Sequence, residues 1–147
     1  MRQTAPQAFI EAADKYSARI ALIGEDGVQL TYAELDAQRI TAARALIALG
    51  VQPGDRVAVW AQNCVEWVIA GLAIHSAGAV LVPVNTRMRG QEAGYVLGKS
   101  GARVLFCPGS FLGPHYPTLL GAHLPPFVEK IIVLRDAQPG AFYVTDF

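Results

Sequence analysis

Neither sign of charge predominates in this sequence, in which twelve Lys and Arg are balanced by twelve Asp and Glu. Without a block of like charge, a basic nucleic-acid surface is excluded, and so is a basic amphipathic helix for a membrane face. Cysteine is scarce. Cys64 and Cys107 lie far apart and in no C-x-x-C pair, which supports neither a disulfide framework nor a zinc site and suits a reducing cytoplasm. His75, His115 and His123 lack metal-ligand spacing, and no Ser/His/Asp or Cys/His set follows from the order. Long apolar runs are missing too. The most membrane-like stretch, VIAGLAIHSAGAVLVPV from Val68 to Val84, contains His75, Ser76, Gly78 and Pro83. It falls short of a spanning length and reads better as a buried helix followed by a buried strand. The N-terminus mixes acids into its apolar pattern, so no secretory signal is expected.

What is present is apolar material, 52% of 147 residues, with only 16% charged. That suits one ordinary domain with a core and argues against disorder. Ala5 to Tyr16 reads as a helix with Phe9, Ile10, Ala13 and Tyr16 on one side. Ile20 to Gly24 and Val28 to Thr31 read as short strands around Glu25-Asp26-Gly27. Thr31-Tyr32-Ala33-Glu34 is a capping box. It opens a helix with Leu35, Ala42, Leu46 and Leu49 on one face and Gly50 placed to end it. After the turn at Pro53-Gly54-Asp55, RVAVWA (Arg56 to Ala61) is a strand too apolar to leave a face in water. Asn63, with Glu66 three residues on, reads as the cap of a helix that stops at Gly78. Ala79 to Val84 is a second buried strand, Gln91 to Lys99 a helix, and RVLFC and KIIVL are further strands. Pro108 to Pro126 gives no clear pattern. The alternation predicts an α/β fold, a largely parallel sheet flanked by helices.

One motif invites misreading. GYVLGKSG, Gly94 to Gly101, ends like a phosphate loop, but that loop needs four residues between its first glycine and Gly-Lys. Only Tyr95-Val96-Leu97 intervene. The segment is helical in pattern and precedes a strand, so its amides are engaged within the helix and free to cradle nothing. A P-loop ATPase is excluded on spacing.

Four stretches taken in order carry a resemblance: LTYAELDAQRITAARALIALGVQPGDRVAVW, QNCVEWVIAGLAIHSAGAVLVPVNTR, EAGYVLGKSGARVLF and VEKIIVL. They resemble the N-terminal region of acyl-CoA synthetases of the adenylate-forming superfamily, over roughly Ile20 to Leu134. The resemblance implies a carboxylic acid–CoA ligase. ATP with Mg2+ would activate the acid as an acyl-adenylate, and coenzyme A would then displace AMP. It also implies that residues 1–147 are the N-terminal part of the large domain. The family's Ser/Thr/Gly-rich phosphate loop, ribose-binding acid and adenylation lysine match nothing here, and FYVTDF at Phe142 to Phe147 resembles the strand and linker ahead of that loop. The chain is therefore expected to be a fragment, inactive alone, with no cofactor held tightly. Its partners would be the remainder of the ligase and the acid, and it would self-associate through exposed apolar surface. The alternative is a freestanding, non-catalytic binding or interaction module derived from such a ligase.

Arg87, directly after a strand, stands where α/β proteins place ligands. The resemblance implies contact with a phosphate of the CoA nucleotide, which a guanidinium suits; the structural alternative is pairing with an acid such as Glu92. Trp67, Leu72, His75 and Ser76 stand where relatives line the acyl pocket. For His75 a hydrogen-bonded core role outweighs catalysis, and Trp60 and Trp67 also read as core aromatics. Asn85 reads as a turn cap. LAIHSAG, VPVNTRMR and Phe111-Leu112-Gly113 resemble an actinobacterial branch of ligases that activates propanoate side chains on the bicyclic remnant of sterol rings. Medium- or long-chain fatty acids are the broader substrate class.

Overall fold

The computed structural model describes residues 4–135; the FYVTDF reading lies outside the described residues. The described residues divide into two compact units, one comprising 4–53 with Asn63–Ala79, the other Gly54–Gln62 with 80–135.

The first unit is helical with one hairpin. Helix α1 (Ala5–Tyr16) starts at Thr4, whose hydroxyl accepts the Gln7 N–H while the Gln7 side chain accepts the Thr4 N–H. Its Phe9 and Tyr16 rings stand 6.1 and 6.3 Å from Tyr32. Strands β1 (Ile20–Ile23) and β2 (Gln29–Thr31) pair antiparallel. Helix α2 (Tyr32–Ala48) opens on the expected capping box: Glu34 accepts the Thr31 N–H at 2.8 Å and donates its own N–H to the Thr31 hydroxyl at 3.2 Å. Leu35, Ala42 and Leu46 are buried as their spacing required. Gly50, at φ +87°, follows the last turn in the left-handed conformation that glycine adopts without strain.

Helix α3 (Val65–Ser76) corrects the expected start. Its cap residue is Cys64, without a side-chain cap bond. Asn63 therefore lies one position too early for its side chain to reach the free amides. Val65, Ile69, Ala70, Gly71, Ala73 and Ile74 are buried, more than one stripe of the helix, as an all-round apolar sequence demands.

The second unit holds a four-stranded, all-parallel sheet ordered β4-β3-β5-β6, with β3 Arg56–Val59, β4 Val80–Pro83, β5 Val104–Cys107 and β6 Lys130–Val133. Val57, Ala58 and Val59 are wholly buried, as is every residue of β5. The expectation of a buried β4 is corrected: the strand lies at the sheet edge, with Val80 and Pro83 exposed. Its apolar sequence alone could not tell edge from centre. Helix α4 (Gly90–Ser100) contains the whole Gly-Lys-Ser sequence and ends at Gly101, at φ +67°. Lys99 is exposed on its last turn. Arg56 Nε and Nη2 donate to the carbonyls of Ser100 and Gly101 at 2.9 and 3.2 Å, satisfying the end of that helix from β3. The unpatterned stretch after β5 forms a short helix α5 (Tyr116–Leu120) and a 3-10 turn at Gly121–His123.

Candidate functional site

The chain leaves β3 for β4 on one side and returns past β3 to β5 on the other. The connection after β3 thus runs to one side and that after β5 to the other, which places the switch point, where parallel sheets open a ligand crevice, between β3 and β5. A cleft of about 530 Å³ lies there, lined by Thr86, Arg87, Met88 and Arg89 from after β4 and by Phe111, Leu112 and Pro114 from after β5, with Tyr116 and Leu119 of α5.

One wall is cationic. Arg87 is exposed and forms no ion pair among the described residues. The structural alternative for it is corrected: Glu92 accepts the Arg89 backbone N–H at 2.8 Å, so its carboxylate serves the start of α4. Asn85 behaves as a turn residue, its Oδ1 accepting the Arg87 N–H at 2.9 Å. The other wall is apolar. Ser110 and His115 form an antiparallel bridge, and Phe111 donates its N–H to the Pro114 carbonyl at 3.1 Å, closing a tight loop. At its tip Leu112 adopts φ +52° and is 86% exposed, a left-handed conformation that costs a branched residue about 1–2 kcal/mol.

Beneath the cleft stand Trp60 and Tyr116, with ring centroids 4.5 Å apart. Burial pushes the Tyr116 hydroxyl above its usual range, partly opposed by the Arg89 cation, so it remains a donor at neutral pH. Cys107, buried in the same core cluster, is pushed up to about 12 by desolvation.

The other sequence candidates belong to α3 in the first unit. Trp67 and Leu72 are half-buried. Ser76 donates to the Leu72 carbonyl at 2.7 Å and accepts from the buried Arg39 at 2.9 Å, which commits its hydroxyl to tying α2 to α3. His75 is exposed, which corrects its reading as a core residue. Sequence reasoning missed Arg89, Leu112 and Tyr116 as a set. Five-residue α5 shows no periodicity, and only the Tyr116-Pro117 pair hinted at a helix start.

The model of the AMP-binding enzyme family matches residues 9–141. This chain belongs to that family. Over 141 residues it is 49% identical to the 3-[(3aS,4S,7aS)-7a-methyl-1,5-dioxo-octahydro-1H-inden-4-yl]propanoyl:CoA ligase of Mycobacterium tuberculosis, covering 95% of this chain and 28% of that ligase. A ligase of the same name from Rhodococcus jostii is 37% identical over 150 residues, with 98% and 29% covered. Among solved structures, the anthranilate CoA ligase AuaEII in complex with anthranoyl-AMP superposes with a TM-score of 0.80 at 28% identity, over 90% of this chain and 25% of that one. The N-terminal subdomain of Klebsiella oxytoca NpsA in complex with 3-hydroxyanthranilyl-AMSN gives 0.74 at 29%, over 92% and 31%. The chain thus spans little more than a quarter of the length of these two curated relatives. Its fold is the α/β one expected, a parallel sheet with flanking helices, and it corresponds to the N-terminal portion of adenylate-forming acyl-CoA synthetases.

The parts needed to hold ATP are a different matter. The Gly-Lys-Ser sequence is locked in α4, and no group of three His, Cys, Asp or Glu suited to a metal ion occurs among the described residues. The amides of the Gly-Lys-Ser sequence are thus engaged within the helix and do not form a phosphate loop. The cationic wall of the cleft, with Arg87 and Arg89, has side chains of the kind that bind phosphate groups.

Proposed function

We propose that residues 1–147 are the N-terminal part of the large domain of an ATP-dependent carboxylic acid–CoA ligase of the cytoplasm. The 49% identity to a CoA ligase across 95% of the chain carries this reading. The rest of the ligase supplies the nucleotide site, and these residues alone activate no acid. The substrate is a propanoate side chain on a bicyclic ring system, the class named for both actinobacterial relatives, in preference to a fatty acid. Arg87 holds a phosphate of coenzyme A at the mouth of the cleft. Trp67, Leu72 and His75 face the acyl group, while Ser76 supports that helix through its bond with Arg39. Exposed apolar side chains such as Ile20, Ile23 and Val80 are covered by the rest of the ligase. In its absence they drive self-association, visible as concentration-dependent mass in light scattering.

The test joins the chain to the rest of the Mycobacterium tuberculosis ligase and measures thioester formation with ATP, Mg2+ and coenzyme A. The bicyclic propanoate should be turned over with a higher kcat/KM than a medium-chain fatty acid, and the 147 residues alone should give no product. A folded chimera with no activity, or thioester formed by the isolated chain, sinks the reading.

A further inference from the structure

The Asn85–Arg89 segment is fixed through its backbone. Trp60 Nε1 donates to the Asn85 carbonyl at 3.1 Å, and the Tyr116 hydroxyl donates to the Thr86 carbonyl at 3.3 Å. The Asn85 carbonyl also accepts the Met88 N–H at 3.0 Å, and the Asn85 side chain takes the Arg87 N–H. Four bonds therefore hold consecutive peptide groups around the residue that faces the cleft.

The two aromatic donors are themselves anchored to the sheet. Trp60 follows β3, is wholly buried, and donates its backbone N–H to the Phe106 carbonyl of β5 at 2.8 Å. Tyr116 is 4% exposed and donates its backbone N–H to the Gly109 carbonyl at 2.8 Å, just past β5. Buried indole and phenol groups need a partner for their polar ends. Here both spend that bond on the same two-residue segment. Core packing alone would be served equally by phenylalanine at position 116, without the hydroxyl.

We infer that Trp60 and Tyr116 are positioning residues, which transmit the register of β3 and β5 to the Arg87 loop and so set how strongly the cleft discriminates a phosphate. The inference rests on the proposed reading of Arg87 as a phosphate contact and takes that phosphate to be the one on the 3′-hydroxyl of coenzyme A. A long side chain on a wandering loop loses its binding energy to ordering; a loop held beforehand does not. Coenzyme A and its 3′-dephospho form differ by one phosphate, so the ratio of their affinities isolates this contribution from the rest of the ligand.

The experiment titrates both ligands calorimetrically against the chain joined to the rest of the Mycobacterium tuberculosis ligase and against its Y116F and R87Q variants, and follows hydrogen exchange at the Arg87 and Met88 amides by mass spectrometry of the peptide that spans them. Unfolding temperature is measured alongside. Tyr116→Phe should reduce the affinity ratio about three- to tenfold and speed exchange at both amides, while R87Q abolishes the ratio without changing the exchange. A purely structural role would lower the unfolding temperature and leave both ratio and exchange as in the wild type, which would overturn the inference while the reading of Arg87 stood. Unchanged amide exchange in Y116F overturns it whatever the ligand does. A wild type that does not discriminate the two ligands, or an R87Q variant that still does, removes the reading of Arg87 and with it the proposed consequence for phosphate.

Discussion

Arg39 of α2 donates from Nη1 to the Ser76 hydroxyl of α3 at 2.9 Å, and its Nε bonds Asp36 at 2.8 Å on the opposite side. With 8% of its surface exposed, this guanidinium is of the kind found inside proteins only when paired. Ser76→Ala leaves one of its N–H groups buried without an acceptor, and the expected loss is about 1–3 kcal/mol. The urea midpoint should fall accordingly, and Ser76→Thr, which keeps the hydroxyl, should recover most of it. Were Ser76 instead a wall of the acyl pocket, the alanine variant would unfold normally and the full ligase would show a raised KM for the acid.

Arg103 bridges Asp55 at 2.5 Å and Glu129 at 2.8 Å, joining the starts of β3, β5 and β6. Its bond holds the Glu129 carboxyl below the ordinary value of 4.5, as bonds from Thr31 do for Glu34. A carboxylate depressed in the folded state binds fewer protons there than in the unfolded chain. Its stabilisation is therefore present above about pH 4.5 and drains away as pH falls through the lowered folded value. Both groups are exposed, so the contribution is modest and screened by salt. Glu129→Gln should melt below wild type at neutral pH, and the difference should close as pH falls through the lowered value of the folded carboxyl. A gap that persists in acid would mean that the bond acts through shape and not charge.

The sheet and its helices were legible because each carries its own local signal. Thr31 and Glu34 announce a helix start three residues apart, and Val104 to Cys107 is buried on both faces as its unbroken apolar run requires. The sequence also pointed to Arg87 through its place after a strand. What it could not supply was partnership. Glu92 suits the Arg89 amide and an Arg87 ion pair equally well until the backbone is fixed. Nor does apolarity separate edge from interior, so Val80 read as buried. Trp60 and Tyr116 stand far apart in the chain, and only the topology brings both to one loop.

Cys107 and Cys64 should differ sharply in reactivity. The nucleophile is the thiolate, and a thiol pushed up to about 12 by burial is almost wholly protonated at neutral pH. Cys64 is only half-buried at the start of α3. Iodoacetamide at mild alkaline pH should therefore add one carbamidomethyl group, located by peptide mapping on Cys64, with Cys107 labelled only after urea is added. Rapid labelling of Cys107 in the folded chain would mean that the core around β5 opens far more readily than its packing implies.

The glycines of α4 invite a sharper test, because three substitutions in one helix should have two signs. A Cβ on Gly90 would overlap the Leu119 carbonyl of α5, and one on Gly94 would run into the backbone of His123. At Gly98 nothing lies within 4 Å. Glycine inside a helix costs about 0.8–1.0 kcal/mol relative to alanine, a cost that is recovered only where the methyl group has room. Gly98→Ala should therefore stabilise by about 0.5–1 kcal/mol, whereas Gly90→Ala should destabilise by about 1–3 kcal/mol as α5 is forced outward, with Gly94→Ala also destabilising. Denaturant titrations of the three variants would settle the order. The same series addresses the Gly-Lys-Ser sequence, since a phosphate-gripping Gly98 would lose nucleotide affinity on gaining a side chain. A more stable Gly98→Ala protein, with ATP binding unchanged when joined to the rest of a ligase, is what a helix terminus requires.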